Sequence, residues 1–269
     1  MDADPRYFQI TALGVLAFIQ QWQGDFAPEP YILALVVSMI FIFHYLSECY
    51  VRRKFTNALK VDYSSVIISA LSLFLLLRAN ILWIYPLAAA LCVGGKVFFR
   101  HDSGHIFNPA NLAIVVLLLL FPSHAWISPG QWGSEGWLAA VMVCLAALVL
   151  SGARQLDIAA MFFGTYTALV VSRSLWLGDS FAIASHNLQN GALLIFTFFM
   201  ITDPKTTPKI FYERFIFALC VAGLAYFMQY SFQIRESLFY ALFIICGLYG
   251  IYRFLIYGKK ERVNVSIQS

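Results

Sequence analysis

The stretch Gly191-Ala-Leu-Leu-Ile-Phe-Thr-Phe-Phe-Met-Ile-Thr-Asp-Pro-Lys-Thr-Thr-Pro208 ends an apolar helix in a carboxylate. Its first part suits lipid or a packed bundle, and Asp203 closes it. Pro204 disfavours the helical conformation of Asp203, so the helix is predicted to stop there. The last helical carbonyls then need new partners, and Thr202 and Thr206 bring hydroxyls close to them. The stretch is therefore either a polar helix cap or a functional turn.

The composition around this stretch is that of a membrane protein. Of 269 residues, 61% are hydrophobic and 12% are charged, whereas soluble domains carry about a quarter charged residues. We expect a multi-pass protein in the lipid bilayer. The basic residues lie in loops and not on an aromatic-lined face, which argues against nucleic acid as a partner. The five cysteines form no C-x-x-C pair, so no metal site is predicted.

Hydrophobic runs predict an all-α membrane protein with about ten transmembrane helices. Three of the runs are short for a full crossing, namely the third, fifth and eighth. The predicted spans are 7–22, 31–50, 63–78, 81–99, 110–122, 136–151, 156–173, 190–202, 213–231 and 237–257.

The spans divide into two halves, at about 7–122 and 136–257. Five spans in each half is an odd number, so the halves would insert with opposite topology, as in inverted-repeat membrane folds. A single membrane domain is predicted over 1–257, followed by a basic cytoplasmic tail at 258–269.

The distribution of positive charge predicts the orientation. With the N-terminus inside, fifteen of the 18 Lys and Arg residues fall in inside loops. Only Arg78, Arg173 and Arg235 then lie outside. This positive-inside asymmetry predicts that both termini are cytoplasmic.

A second polar stretch, Gly104–Asn111, leads directly into the short fifth span. Asn108 is a candidate helix N-cap, and Pro109 suits the first helical position. A half-helix that starts within the protein points its free N–H groups at the interior, where polar or anionic ligands bind. Lys96, after Gly95 at the inside boundary, is expected to snorkel or to contact an anion.

Two further features have open interpretations. Asp157 lies just inside the seventh span, three residues after Arg154. The pair is either a structural salt bridge or part of an ion path with Asp203. The outside loop at 122–136 contains Trp126 and Trp132 and no Lys or Arg; its aromatics are interfacial anchors or a docking surface for an external partner.

Two motifs in order resemble the RnfD/NqrB family. The first is Gly95-Lys96 followed by His105-Ile-Phe-Asn-Pro-Ala-Asn-Leu112, and the second is Phe198-Phe-Met-Ile-Thr-Asp-Pro-Lys-Thr-Thr207. The family consists of integral membrane flavin subunits of Rnf complexes and of the sodium-pumping NADH:quinone oxidoreductase. The motif order and the ten-span layout match over about residues 60–257.

The resemblance implies an electron-transfer subunit in the inner membrane of a bacterium. It would act with other membrane redox subunits and an external flavoprotein or electron carrier. It implies a flavin, riboflavin or FMN, near Lys96, Asn108, Pro109, Thr202, Asp203 and Thr206. Covalent FMN is not expected. The family attaches it to the last Thr of a Ser/Thr-Gly-Ala-Thr motif, whereas here the nearest match, Ser151-Gly-Ala-Arg154, ends in Arg.

Two other functions fit the same pattern. Inverted repeats with broken helices also suit a transporter or channel for an ion or small solute, without a redox role. A scaffold that lost its cofactor is the third alternative. In every case, Asn108 and Asp203 are predicted to approach one another at the inner end of the bundle.

Overall fold

The structure, a computed structural model, describes residues 5–23, 28–52, 63–101, 104–128, 144–145 and 155–267. It is mostly helical. Within these ranges ten α-helices follow one another: α1 (Pro5–Gln23), α2 (Pro30–Arg52), α3 (Ser64–Leu76), α4 (Ile84–Phe98), α5 (Pro109–Leu120), α6 (Leu156–Leu177), α7 (Phe181–Leu188), α8 (Gly191–Ile195), α9 (Phe211–Ser231) and α10 (Ser237–Ile267).

Four of the described helices are long and apolar enough to cross a membrane. They are Pro30–Val51, Leu156–Leu177, Phe211–Ser231 and Ser237–Leu255. The chain is therefore a multi-pass membrane protein. The predicted span at 136–151 lies outside the described residues, apart from Cys144 and Leu145.

The predicted third span consists of a helix followed by a strand. At 1.5 Å per residue the 13 residues of α3 reach about 20 Å, short of the roughly 30 Å of a bilayer core. The chain continues as β1 (Leu77–Ala79), which pairs antiparallel with β4 (Ala125–Ile127) beyond the end of α5. Leu77 and Arg78 are buried. This irregular backbone is thus covered by protein, as a membrane interior requires.

Helices α3 and α5 form the buried centre of the bundle. Nine of the residues of α3 are buried, from Val66 to Leu76. Helix α4 comes close to α5 at Gly95, where an added Cβ would lie 2.4 Å from Leu112 Cδ2. The missing side chain at Gly95 therefore permits the close approach of these two helices.

The predicted eighth span is broken into two parts. It runs as α8, N-capped by the Asn190 side chain on Ala192 N, and then as a π-helical turn over Phe196–Met200. The Thr197 hydroxyl donates to Leu193 O at 2.7 Å within this turn. Helix α7, which the sequence patterns did not predict, precedes it after the left-handed Gly178 (φ 72°).

Candidate functional site at the Asn108 and Asp203 turns

The two polar turns meet through their side chains. Asn108 Nδ2 donates a hydrogen bond to Asp203 Oδ2 at 3.2 Å, across 95 residues of sequence. The prediction that these residues approach one another is therefore confirmed.

Asn108 is held in place by the helix that it caps. Its Oδ1 accepts hydrogen bonds from Ala110 N and Asn111 N, each at 3.1 Å, and Pro109 occupies the first turn. Both features were predicted. Because the carbonyl oxygen is committed to the cap, the amide nitrogen must point away from α5, and it points at Asp203.

Asp203 organises the turn that follows it. Its Oδ1 accepts from Lys205 N at 3.0 Å, while its backbone carbonyl accepts from the Thr206 and Thr207 N–H groups. The Thr206 and Thr207 hydroxyls donate to that same carbonyl, and the Thr202 hydroxyl donates to Phe198 O. The threonines thus shape the turn and leave the carboxylate to other partners.

The hairpin of β2 (Arg100–His101) and β3 (Gly104–His105) docks on this turn. His105 N donates to Lys205 O at 3.1 Å. A Cβ on Gly104 would lie only 2.4 Å from the same oxygen. The hairpin therefore reaches the Asp203 turn only with glycine at this position.

Lys96 points into the protein and does not snorkel. It is 9% exposed, and its Nζ donates to Ser65 O at 2.9 Å and to Ser65 Oγ at 3.3 Å. Its positive charge acts on Asp203. Lys96 therefore stands next to the site without lining its cavity.

A cavity of about 80 Å³ lies between the two turns and helices α1 and α3. Of the residues predicted to bind a ligand, Asn108, Pro109 and Asp203 line it, whereas Thr202 and Thr206 do not. Further lining groups that sequence reasoning did not assign to a site are Arg6, Gln9, Ser65, Ser69, Ser72 and Phe199.

The serines carried a signal in the sequence. Positions 65, 69 and 72 recur at helical spacing, so they share one face of an apolar helix. Small polar side chains on one face also suit close helix packing, so the pattern alone does not indicate a cavity. The α1 residues carried no comparable signal, because their approach to the site depends on the packing of α1 against α3.

Burial raises the pKa of Asp203 above the ordinary value of a carboxyl group. The Lys205 N–H group opposes this rise, as do the positive charges of Lys205 and Lys96 and the Asn108 amide. Such a carboxyl takes up a proton more readily than an exposed carboxyl does.

Asp157 has a partner on another helix. Its two carboxylate oxygens accept hydrogen bonds from Arg214 Nη1 at 2.8 and 3.1 Å, and Arg214 Nε donates to Pro208 O. Arg154, its predicted partner, lies outside the described residues. Asp157 does not line the cavity and ties the start of α6 to the end of the Asp203 turn.

The two loops singled out in the sequence are described only in part. Trp126 lies in β4 and is 41% exposed. Trp132 and Ser151–Arg154, the stretch nearest to a flavin-attachment motif, lie outside the described residues.

The fold and the site define a helical membrane protein in which two broken-helix turns meet at a partly buried carboxylate. Comparison with known proteins gives the family that it resembles. The model of the NQR2, RnfD, RnfE family matches residues 128–249, a range that contains Asp203 and starts after Asn108.

A curated relative from Stutzerimonas stutzeri extends the similarity. Its name describes it as one of the subunits of an ion-translocating oxidoreductase complex. It is 24% identical over 252 aligned residues, covering 67% of this chain and 71% of the relative. The two matches confirm the resemblance to the RnfD/NqrB family.

Proposed function

We propose that this chain is a membrane-embedded electron-transfer subunit of an ion-translocating redox complex, with its site at the Asn108–Asp203 contact. The observation that carries the proposal is that hydrogen bond, which joins the two family-like motifs at one cavity. The family match and the name of the curated relative support the same class of function.

The proposal includes an architecture of ten spans in two inverted repeats, with both termini in the cytoplasm of a bacterium. The charge asymmetry of the loops supports this orientation. Cysteines introduced singly at the exposed Ser123 and at Ser266 should react with a membrane-impermeant maleimide from opposite sides of the membrane. Equal labelling of both positions from the outside would contradict the proposed topology.

The chemistry of the lining fits one edge of a non-covalent flavin, riboflavin or FMN. Asp203 can accept from a ligand N–H group, and the second N–H of Asn108 can donate to a ligand carbonyl. Phe199 adds an aromatic face.

The size of the cavity limits how much of the ring system is enclosed. The cavity measures about 80 Å³, whereas ligand pockets usually measure about 300–1,000 Å³. It therefore admits only the polar edge of a flavin. A bound flavin would supply one- and two-electron transfer.

The described residues would hold such a ligand in one orientation. Asn108 is fixed by the cap of α5, and Asp203 by the Lys205 N–H group. The proposed partners are other redox subunits in the membrane and an external flavoprotein or electron carrier.

Flavin extraction from the purified complex tests the redox proposal. We expect about one extracted flavin for this chain, and its loss in Asp203→Asn. The control Asp179→Asn alters a half-exposed carboxylate whose contact with Arg173 is 3.9 Å long, so it should keep the flavin. A pure complex without flavin, haem or iron would contradict the redox role.

Ion transport without electron transfer is the second candidate function. The cavity of about 80 Å³ has the size of an ion with a few waters, and carboxylate and hydroxyl oxygens are the ligands that hard cations prefer. Reconstituted protein that conducts sodium without any electron donor would favour this function. Ion movement that requires the donor would favour the redox proposal.

A further inference from the structure

A second cavity lies on the other side of the Asp203 turn. It measures about 270 Å³ and lies between that turn, the start of α9 and the α10 helix. Its charged lining residues are Lys205, Lys209, Glu213 and Arg253. Only Lys205 of these four belongs to a family-like motif, and the proposed electron transfer does not use the cluster.

The cavity has an excess of positive charge. Three of its charged residues are cationic and one is anionic. The carboxylate of Glu213 accepts a hydrogen bond from the Tyr249 hydroxyl at 2.9 Å, which holds it against the wall of the cavity. The Arg253 guanidinium lies 6.0 Å from the centre of the Tyr249 ring. Two ammonium groups and one guanidinium therefore surround a space with room for an anion.

The position of the cavity points to the membrane surface. Arg253 lies two residues before the end of the apolar span Ser237–Leu255. Large apolar side chains beside the cavity are exposed, among them Ile210, Phe211 and Phe254. A cationic cavity bordered by exposed apolar side chains suits an amphiphile with an anionic head.

We propose that this cavity binds a phosphate group, carried by an anionic phospholipid or by a small soluble phosphate. Guanidinium and ammonium groups form short, charge-assisted hydrogen bonds to phosphate oxygens. Thr207 adds a polar wall. The exposed apolar residues favour the phospholipid as the source.

Binding here also acts on the neighbouring turn. Lys205 lines the phosphate cavity, and its backbone N–H donates to Asp203 Oδ1. A phosphate in the cavity therefore restrains the segment that positions the Asp203 carboxylate.

Thermal unfolding of the purified full chain in detergent tests the proposal. The protein is titrated separately with phosphatidylglycerol, with zwitterionic phosphatidylcholine and with inorganic phosphate. The double variant Lys209→Gln/Arg253→Gln is compared with Arg235→Gln, which removes a cation just before the other end of the same helix. Gel filtration checks that each variant is folded. If the double variant is not folded, the single variant Lys209→Gln, which changes an exposed lysine, replaces it in the test.

We expect phosphatidylglycerol to stabilise the wild-type chain more than phosphatidylcholine does. The double variant should bind it about tenfold more weakly, and Arg235→Gln should bind as wild type does. Stabilisation by inorganic phosphate that the double variant loses, with the two lipids equal, would identify a soluble phosphate as the source. Equal responses to all three additives, or a double variant that binds as well as wild type, would overturn the proposal.

Discussion

The two ends of the α3 and α5 pair, one at Arg78 and one at Asp203, differ in how their backbone groups are hydrogen-bonded. At the Arg78 end, β1 pairs with β4 through backbone hydrogen bonds. Arg78 Nη1 donates to Phe74 O and Leu77 O, at 2.7 and 2.9 Å. At the Asp203 end, the side chains of Asn108 and Asp203 make the contacts instead.

The difference indicates that the Arg78 end is structural and the Asp203 end is functional. Strand pairing consumes backbone groups of both strands, and it leaves Leu76, Leu77 and Arg78 buried. Side-chain capping consumes only one oxygen of Asn108 and leaves an amide, a carboxylate and a cavity of about 80 Å³. We therefore expect substitutions at the Arg78 end to change stability, and those at the Asp203 end to change activity.

The largest effect is expected for Asp203→Asn. The change keeps the shape of the side chain and removes its charge, so electron transfer by the assembled complex should fall by at least about 100-fold, or about 2.7 kcal/mol of activation free energy. Stability should change by only about 1 kcal/mol, since one lost hydrogen bond is offset by the removal of a partly buried charge.

Turnover measured at matched expression, together with thermal unfolding in detergent, checks this prediction. Normal turnover with reduced stability would show that Asp203 is only a structural cap.

The next effect is expected at the opposite end, for Arg78→Met. Methionine fills a similar apolar volume but leaves the carbonyls of Phe74 and Leu77 without the guanidinium donor. Because hydrogen bonds to charged groups contribute more than neutral ones, we expect a loss of about 2–3 kcal/mol.

Chemical or thermal unfolding in detergent measures that loss, and extracted flavin should remain one per chain. If Arg78→Met lowered flavin content and left stability unchanged, the division between the two ends would be wrong.

Local chemistry made part of this arrangement predictable. The cap at Asn108 and the stop at Asp203 depend on neighbours in sequence, Pro109 and Pro204, whose backbone restrictions are known. The family resemblance and the charge asymmetry then indicated that the two turns meet.

The remaining contacts depend on packing between distant segments. Asp157 finds Arg214 across 57 residues, and β1 finds β4 although each is only three residues long. Gln9 reaches the cavity only because α1 packs on α3. No local sequence pattern indicates the partner of any of these residues. Sequence reasoning therefore missed the Asp157–Arg214 pair, the pairing of β1 with β4 and part of the cavity lining.

A moderate effect is expected for Gly104→Ala, which tests how tightly the hairpin approaches the Asp203 turn. The new methyl group would meet the Lys205 carbonyl at 2.4 Å, so the backbone must shift at a cost of about 1–2 kcal/mol. Gly164→Ala is the matched control. Its added Cβ meets nothing within 4 Å inside α6, so it should stabilise the helix by about 0.5–1 kcal/mol.

Thermal unfolding of both variants in detergent gives the comparison. A Gly104→Ala protein as stable as Gly164→Ala would mean that the hairpin does not press on the turn.

The smallest effect separates the cap of α5 from the contact with Asp203. Asn108 and Asn190 both cap a helix with Oδ1, but only Asn108 also donates to Asp203. Each change to alanine should cost about 1 kcal/mol for the lost cap. Asn108→Ala should cost about 0.5–1 kcal/mol more, because it removes a hydrogen bond to a partly buried carboxylate.

The additional loss of stability in Asn108→Ala should depend on pH, since the Asn108 amide stabilises the charged form of Asp203. Burial already raises the pKa of Asp203, and the loss of this donor raises it further. The excess is therefore present above the Asp203 pKa and disappears as the pH falls through it, when the carboxyl is protonated in both proteins. Unfolding of both alanine variants, each with and without Asp203→Asn, measures the coupling directly. Equal losses of stability for Asn108→Ala and Asn190→Ala at every pH would show that the Asn108–Asp203 hydrogen bond does not stabilise the protein.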